Sequence, residues 1–180
     1  MFVSRTSPKR CAVGPFLSFW RRNYPQGVSS KYDAISSSSS TTTAQRQLVT
    51  TTTTDLESPI ADVKADICNL PFEDNSYDVI LCNHVLEHIP NDTKAMQELY
   101  RVLKPGGMGI FQIPQDLNRE ITFEDDSITD KVERAKIFGQ YDHVRIYGRD
   151  YFDKLRTIGF KVNEVDYTAT LSEEDVTRYC

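Results

Sequence analysis

Glycine is scarce in the first half of this 180-residue chain: only Gly14 and Gly27 precede residue 106. No GxGxxG turn therefore follows an early strand, which argues against a nicotinamide-binding Rossmann domain. The four cysteines (Cys11, Cys68, Cys82, Cys180) show no CxxC spacing, and none of the three histidines stands at zinc-finger distance from them. That pattern excludes a structural zinc finger. Cys68 and Cys82 lie in or beside apolar strand-like runs and read as small buried hydrophobes, as suits a reduced, intracellular setting. Nothing approaches the ~18 consecutive apolar residues of a membrane span, so the chain reads as soluble and cytoplasmic, with no membrane partner.

The composition is that of a globular protein with one domain and a short appendage. Hydrophobic residues make up 39% and charged residues 26%, and nine Tyr, nine Phe and one Trp are present. Disordered chains lack such aromatics. The net charge of −5 hides an asymmetry. Residues 1–54 carry seven basic side chains (Arg5, Lys9, Arg10, Arg21, Arg22, Lys31, Arg46) against Asp33 alone, and the remainder is acidic at −11. An acidic body offers no extended phosphate-binding surface, so no nucleic-acid partner is expected.

Residues 1–32 are basic and Ser-containing, with an apolar run over 11–20 broken by Gly14 and Pro15. A transit peptide has this composition, and so has an unselected basic leader. Residues 36–43 are five serines and three threonines, a tract with nothing to bury. Residues 1–47 are thus expected to be a basic, Ser/Thr-rich, disordered leader, with the domain spanning 48–180.

From residue 48 the pattern becomes that of alternating strands and helices. Strands are expected at 48–54, 61–65, 77–82, 108–113 and 160–165, from β-branched or continuous apolar runs. One helix is expected after Asp92 as N-cap, with Ala95, Met96, Leu99, Val102 and Leu103 at helical spacing, ending in Lys104-Pro105-Gly106-Gly107. A second covers 149–158 with Gly159 as its C-terminal cap, and a capping box at 172–175 opens a third. Residues 115–146 are polar and weakly periodic, and read as an excursion or lid. The alternation implies an α/β fold with a largely parallel sheet. Ligands of such sheets sit outside the carboxyl ends of the strands, where this sequence places Asp55, Asp66, Asn83 and His84. From spacing alone, Asp55 and Asp66 equally suit simple turn starts.

The stretch ADICNLPFEDNSYDVILCNHVLEHIPNDTKAMQELYRVLKPGG, residues 65–107, closely resembles the class I, S-adenosylmethionine-dependent methyltransferases, in particular the type 11 methyltransferase domain. It carries D-x-x-x-LPF, S-Y-D-V-I, V-L-E-H and R-V-L-K-P-G-G in order. A softer resemblance runs from about residue 49 to the C-terminus, including 142–145 (DHVR). The resemblance implies a Rossmann-like sandwich, S-adenosyl-L-methionine as cofactor and a small-molecule methyl acceptor. It further implies that Asp55 holds the ribose diol, that Asp66 and the backbone of Ile67 meet the adenine, and that Asn83 and His84 line the methionine end, with Leu86 and His88 shaping that wall. Methyl transfer from a sulfonium needs alignment more than activation, so no metal or nucleophilic triad is required. If the acceptor must lose a proton, His84, His88 and His143 are the candidate bases; an ordinary packed histidine is the competing reading of each. His143 with Arg145 could instead hold an anionic acceptor.

The family's acid and glycine-rich turn, E/D-x-G-x-G after its first strand, does not occur in this sequence. The first strand itself, central in that fold, is expected to be missing, and the further antiparallel strand structure that closes the fold has no counterpart after residue 165. The domain thus reads as incomplete on its N-terminal side and truncated at both ends. Unpaired neighbours of a missing central strand would favour self-association. Two hypotheses follow: a methyltransferase acting on an unidentified small molecule, and a non-catalytic remnant or fragment that acts, if at all, through a partner.

Overall fold

The computed structural model describes residues 2–5, 16–20, 50–164, 172 and 174. Seven strands form one sheet: β1 (Phe2–Ser4), β2 (Phe16–Trp20), β3 (Thr51–Asp55), β4 (Val63–Lys64), β5 (Tyr77–Asn83), β6 (Leu103–Gln112) and β9 (Lys161–Asn163), in the order β4-β3-β2-β5-β6-β1-β9. A second, two-stranded sheet pairs β7 (Phe123–Glu124) with β8 (Arg145–Ile146). The helices are α1 (Asp92–Val102), α2 (Lys131–Phe138) and α3 (Tyr151–Ile158), with a single 3-10 turn at Leu86–His88. Strands β4, β3, β2, β5 and β6 are parallel, and β1 runs antiparallel between β6 and β9. The order β4-β3-β2-β5-β6 is the 3-2-1-4-5 of a doubly wound α/β sheet, with its topological switch between β2 and β5.

The central strand expected to be missing is therefore in place. Phe16–Trp20 pairs with β3 on one side and with β5 on the other, from Phe16 opposite Thr51 and Val79 to Trp20 opposite Asn83. Leu17 is fully buried. The residues were assigned to a leader because Gly14-Pro15 in front of them and the serine tract behind them masked a five-residue apolar run. Five residues is an ordinary strand length. With β2 seated, the unpaired edges that would have driven self-association are satisfied.

The very start of the chain takes the antiparallel position. Val3 is fully buried, and a Cβ on Gly109 would stand 2.8 Å from its Cγ2 and 2.8 Å from the Phe111 ring. Glycine at 109 thus lets β1 approach β6. Arg5, one of the seven basic residues counted above, is not a free charge. Its Nη1 donates to the Leu103 carbonyl (2.9 Å) and to Asn75 Oδ1, and its guanidinium lies 4.6 Å from the Tyr100 ring centre. Strands from within residues 1–47 therefore belong to the sheet; the other residues of that stretch, including the serine tract, lie outside the described residues.

The remaining elements deviate locally. Asn91, rather than Asp92, caps α1, its side chain accepting from the Lys94 N–H at 2.9 Å. The helix stops at Val102, and β6 starts at once at Leu103, with a register irregularity where Lys104-Pro105-Gly106-Gly107 bulges opposite Asp78. Helix α1 buries Ala95, Met96, Leu99 and Val102; α3 ends on Gly159 at φ +119°, as expected of a left-handed cap. The excursion over 115–146 holds α2, capped by the Asp130 side chain, and both strands of the small sheet. It also buries Ile128, Phe138, His143 and Arg145, so much of it is packed rather than a loose lid. The 172–175 capping box lies largely outside the described residues. Among the described residues no helix is long and apolar enough to cross a membrane.

The position of β2 makes a direct test. A chain starting at residue 48 should lose cooperative unfolding and aggregate, as read by circular dichroism and size-exclusion chromatography. Leu17→Ala in the full chain should cost about 2–5 kcal/mol in denaturant unfolding. A well-folded 48–180 fragment would show that β2 is dispensable.

Candidate functional site

The carboxyl ends of four adjacent parallel strands form one rim. Asp55 ends β3 and its Oδ1 accepts from the backbone N–H groups of Glu57 (2.8 Å) and Ser58 (2.7 Å). One carboxylate oxygen is thus fixed by an Asx turn. The Asp55 carbonyl accepts from Ala65 N–H at 3.1 Å, which carries the chain from β4 into Asp66. The Asp66 carboxylate is exposed, with Oδ1 held by Cys68 N–H at 2.8 Å, and Ile67 beside it is buried. Asn83 ends β5 opposite Trp20, the last residue of β2. At about 4.8 Å per strand, the distance from β4 to β5 is roughly 14 Å. All five sequence-assigned residues thus lie along this rim or on the turn that leaves it. The turn after β2, where a glycine-rich loop would stand, lies outside the described residues.

Asn83 Oδ1 is buried and has no hydrogen-bond partner among the described residues. An unpaired buried carbonyl costs about 1–3 kcal/mol, so a group at a sheet end in this state is a candidate for a ligand's donor. His84, next in the chain, adopts φ +53°, a left-handed backbone that non-glycine residues rarely hold. Its N–H still extends the sheet, donating to the Gln112 carbonyl at 2.9 Å. The reversal leaves the His84 side chain 61% exposed and sends the next turn inward.

Glu87, in that turn, was not singled out from sequence, because V-L-E-H reads as a family motif with an acid on a polar turn. Yet Glu87 is only 1% exposed and neither carboxylate oxygen has a hydrogen-bond partner. His84 Nδ1 stands 3.3 Å from Oε1 and His88 Nε2 4.0 Å from it, both outside hydrogen-bond geometry. Burial pushes the Glu87 carboxyl above its ordinary range, offset in part by its own backbone N–H, His84 and His143. His88 and His143 pack edge to face, with ring centres 4.6 Å apart.

Arg145 explains how His143 reaches this turn. The guanidinium is 2% exposed; Nη1 donates to the carbonyls of Leu86 (2.8 Å) and Ile89, Nη2 to Pro90 (2.9 Å) and Nε to Glu124 Oε1 (2.7 Å). Four of its five N–H groups are thereby used within the fold, which leaves the expectation that it holds an anionic acceptor without support. Asp92 completes the link: its Oδ2 accepts from Tyr147 Oη (2.8 Å) and Lys154 Nζ (2.7 Å). Beyond this pin, an open cleft of about 330 Å³ lies between the stretch after β6 (Pro114, Gln115), α2 (Lys136, Phe138) and Ile146. That size suits a small molecule.

A family model described as the methyltransferase domain matches residues 11–111, more than half of the chain and inclusive of β2. This chain belongs to the class I methyltransferases. Among curated relatives, demethylmenaquinone methyltransferase of Staphylococcus epidermidis is 48% identical over 46 residues, covering 26% of this chain and 19% of the relative. The 2-phytyl-1,4-naphtoquinone methyltransferase of Nostoc punctiforme is 32% identical over 116 residues, covering 57% of this chain and 50% of the relative. The chain thus spans half or less of the length of these relatives. Of solved structures, an S-adenosylmethionine-dependent methyltransferase from Mesorhizobium loti matches with a TM-score of 0.47 at 14% identity, covering 72% of this chain and 71% of that one.

Family membership gives the Asp92 pin a measurable consequence, because it locks the family's V-L-E-H turn to the excursion. Burial alone would raise the Asp92 carboxyl, but the Lys154 hydrogen bond, the Arg145 and Lys154 charges and the Tyr147 hydroxyl outweigh it and hold it below the ordinary value. A depressed carboxyl contributes stability that is complete above its unfolded value of about 3.9 and is lost as pH falls through the folded one. Asp92→Asn should therefore cost about 3–5 kcal/mol at pH 7 and flatten the acid limb of the stability profile below about pH 4. Denaturant unfolding across pH reads both; an unchanged acid limb would remove Asp92 from this role.

Proposed function

We propose that this chain binds S-adenosylmethionine along the rim from Asp66 to Asn83 and transfers its methyl group to a small-molecule acceptor. The observation that carries the reading is the buried, unpartnered Asn83 Oδ1 at the end of β5, next to the topological switch where doubly wound sheets bind ligands. A cofactor ammonium is a donor of the kind this oxygen lacks. The second oxygen of Asp55 and the exposed carboxylate of Asp66 suit ribose hydroxyls and an adenine amine, and the backbone N–H of Ile67 suits a ring nitrogen. Bound S-adenosylmethionine supplies a methyl group on a sulfonium; as the new bond to the acceptor forms, the S–CH3 electron pair stays on sulfur and leaves a thioether. The chain's own task is alignment, which is worth up to roughly 7–11 kcal/mol in favourable cases. The 330 Å³ cleft beside the end of β6 is the proposed acceptor space. The two relatives described above are named for menaquinone and naphtoquinone methylation, and this chain's acceptor is proposed only as a small molecule.

Calorimetric titration of the full chain with S-adenosylhomocysteine tests the reading. Saturable binding is expected, weakened about tenfold or more by Asp66→Ala, the loss of a charged hydrogen-bond partner. The circular dichroism spectrum should not change, because that side chain is exposed. Unaltered affinity would remove Asp66 from the site. A folded chain that does not bind would overturn the cofactor reading in favour of a non-catalytic relative.

A further inference from the structure

The geometry points to a divalent metal site formed by Glu87, His88 and His143, a centre for a first-row transition ion at the mouth of the proposed methyl-transfer site. One ligand atom from each of the three side chains lies within 4.8 Å of the other two. The neutral His143 ring is set in the tautomer that ligation needs. His143 Nδ1 is 3.0 Å from the Phe138 carbonyl, and a carbonyl can only accept, so Nδ1 carries the proton and Nε2 the lone pair. His88 Nδ1 faces the carbonyl and the carboxylate of Asp142, each at 3.4 Å, and its Nε2 faces Glu87 Oε1. A ring nitrogen oriented by a carbonyl or carboxylate while the other binds is the usual outer-shell pattern of metal-bound histidine.

Glu87 is the independent observation. A carboxyl group 1% exposed whose two oxygens make no hydrogen bond among the described residues, with only imidazole nitrogens at 3.3 and 4.0 Å from Oε1, is a costly group for a fold to hold. Pairs of lone pairs converging on such a group call for a cation. Two imidazoles and one carboxylate suit zinc, iron, cobalt or nickel rather than magnesium or calcium, which prefer all-oxygen shells. The set also leaves coordination positions open, and His84, 3.3 Å from Oε1 on the solvent side, can fill one. Around an ion with bonds of about 2.0–2.1 Å, tetrahedral ligands stand about 3.3 Å apart. Closing the triad to that spacing takes side-chain shifts of about 1 Å. Methyl transfer itself requires no metal, and the site stands apart from the cofactor proposal, since its tests require neither cofactor nor turnover.

Cobalt(II) titrated into the full wild-type chain is the probe. We expect one equivalent to bind saturably, with visible ligand-field bands that zinc displaces. Glu87→Gln, isosteric and uncharged, should weaken binding at least tenfold. His143→Asn, which keeps a donor for the Phe138 carbonyl, should do the same, with circular dichroism verifying the fold of both. X-ray absorption on the zinc-loaded wild-type chain needs no variant and should read two imidazoles with oxygen. No binding by the folded wild-type chain would overturn the proposal and leave a proton shared within the cluster. Binding unaffected by either variant, or sulfur scattering at about 2.3 Å, would overturn it by placing the ion elsewhere.

Discussion

One buried guanidinium holds the ligand end of this fold together. Arg145 reaches from the small sheet into the 3-10 turn after β5 and ties down three consecutive stretches of its backbone through the Leu86, Ile89 and Pro90 carbonyls. The Leu86 carbonyl also accepts the turn's own bond from Ile89 N–H at 3.2 Å, whereas the Ile89 and Pro90 carbonyls follow the turn, where a one-turn helix leaves its last carbonyls without helical partners. Arginine suits the task because its planar fork spreads several donors over one rigid group and stays charged. The charge is in turn balanced by Glu124 and Asp92. Through Asp92, α1 and α3 join the same network, because Lys154 of α3 shares that carboxylate. The position of His143 against Glu87 and His88 follows from this pin, since His143 lies two residues before Arg145, just ahead of β8.

The sheet has a different constraint, the need to fill its centre. The β-branched strand β3 and the apolar strand β5 are joined only through β2, and without it both would present unpaired backbone N–H and C=O groups at the middle of the sheet. The chain meets the need with five residues, Phe16–Trp20, from a stretch whose composition otherwise resembles a targeting leader. It uses the opposite device at the other edge. A three-residue strand from the N-terminus, held by Arg5 and admitted by Gly109, runs antiparallel between β6 and β9. Strands from the two ends of the chain thus lie side by side, and the sheet is topologically continuous from β4 to β9.

What was legible in the sequence follows from how local each signal is. The YDVILC run, the α1 stripe and Gly159 each announce their element within about ten residues, and they appear where their patterns place them. Asp55, Asp66 and Asn83 were also readable, because strand ends in a parallel sheet are set by the strands themselves. Strands β1 and β2 were not, since their burial depends on partners 35 to 161 residues away and their flanks carry turn and low-complexity signals. The Asp92 cap failed for a related reason. Local rules favour Asp at an N-cap as readily as Asn, and only the distant Tyr147 and Lys154 show that Asp92 is more valuable one position inside. Arg145 looked like a free cation in a polar excursion for want of the same information.

Glu87 is the instructive miss, because nothing local marks it. A glutamate on a one-turn helix after a strand is ordinarily solvated, and only the fold removes this one from water. The left-handed backbone at His84 and the burial of Glu87 are consequences of one reversal: β5 continues its hydrogen bonding to His84 N–H, and the chain must then turn sharply to bring Leu86 under the sheet. Leu86 enters the core for its hydrophobic burial, and on a one-turn helix its neighbour Glu87 is carried in with it. Strain at the His84 backbone and burial of the Glu87 carboxyl both work against stability, and the burial of Leu86 offsets them. Both costs trace to one turn, which sets them beside the Asn83 Oδ1 that accepts no hydrogen bond among the described residues, at the strand ends where doubly wound sheets bind their ligands.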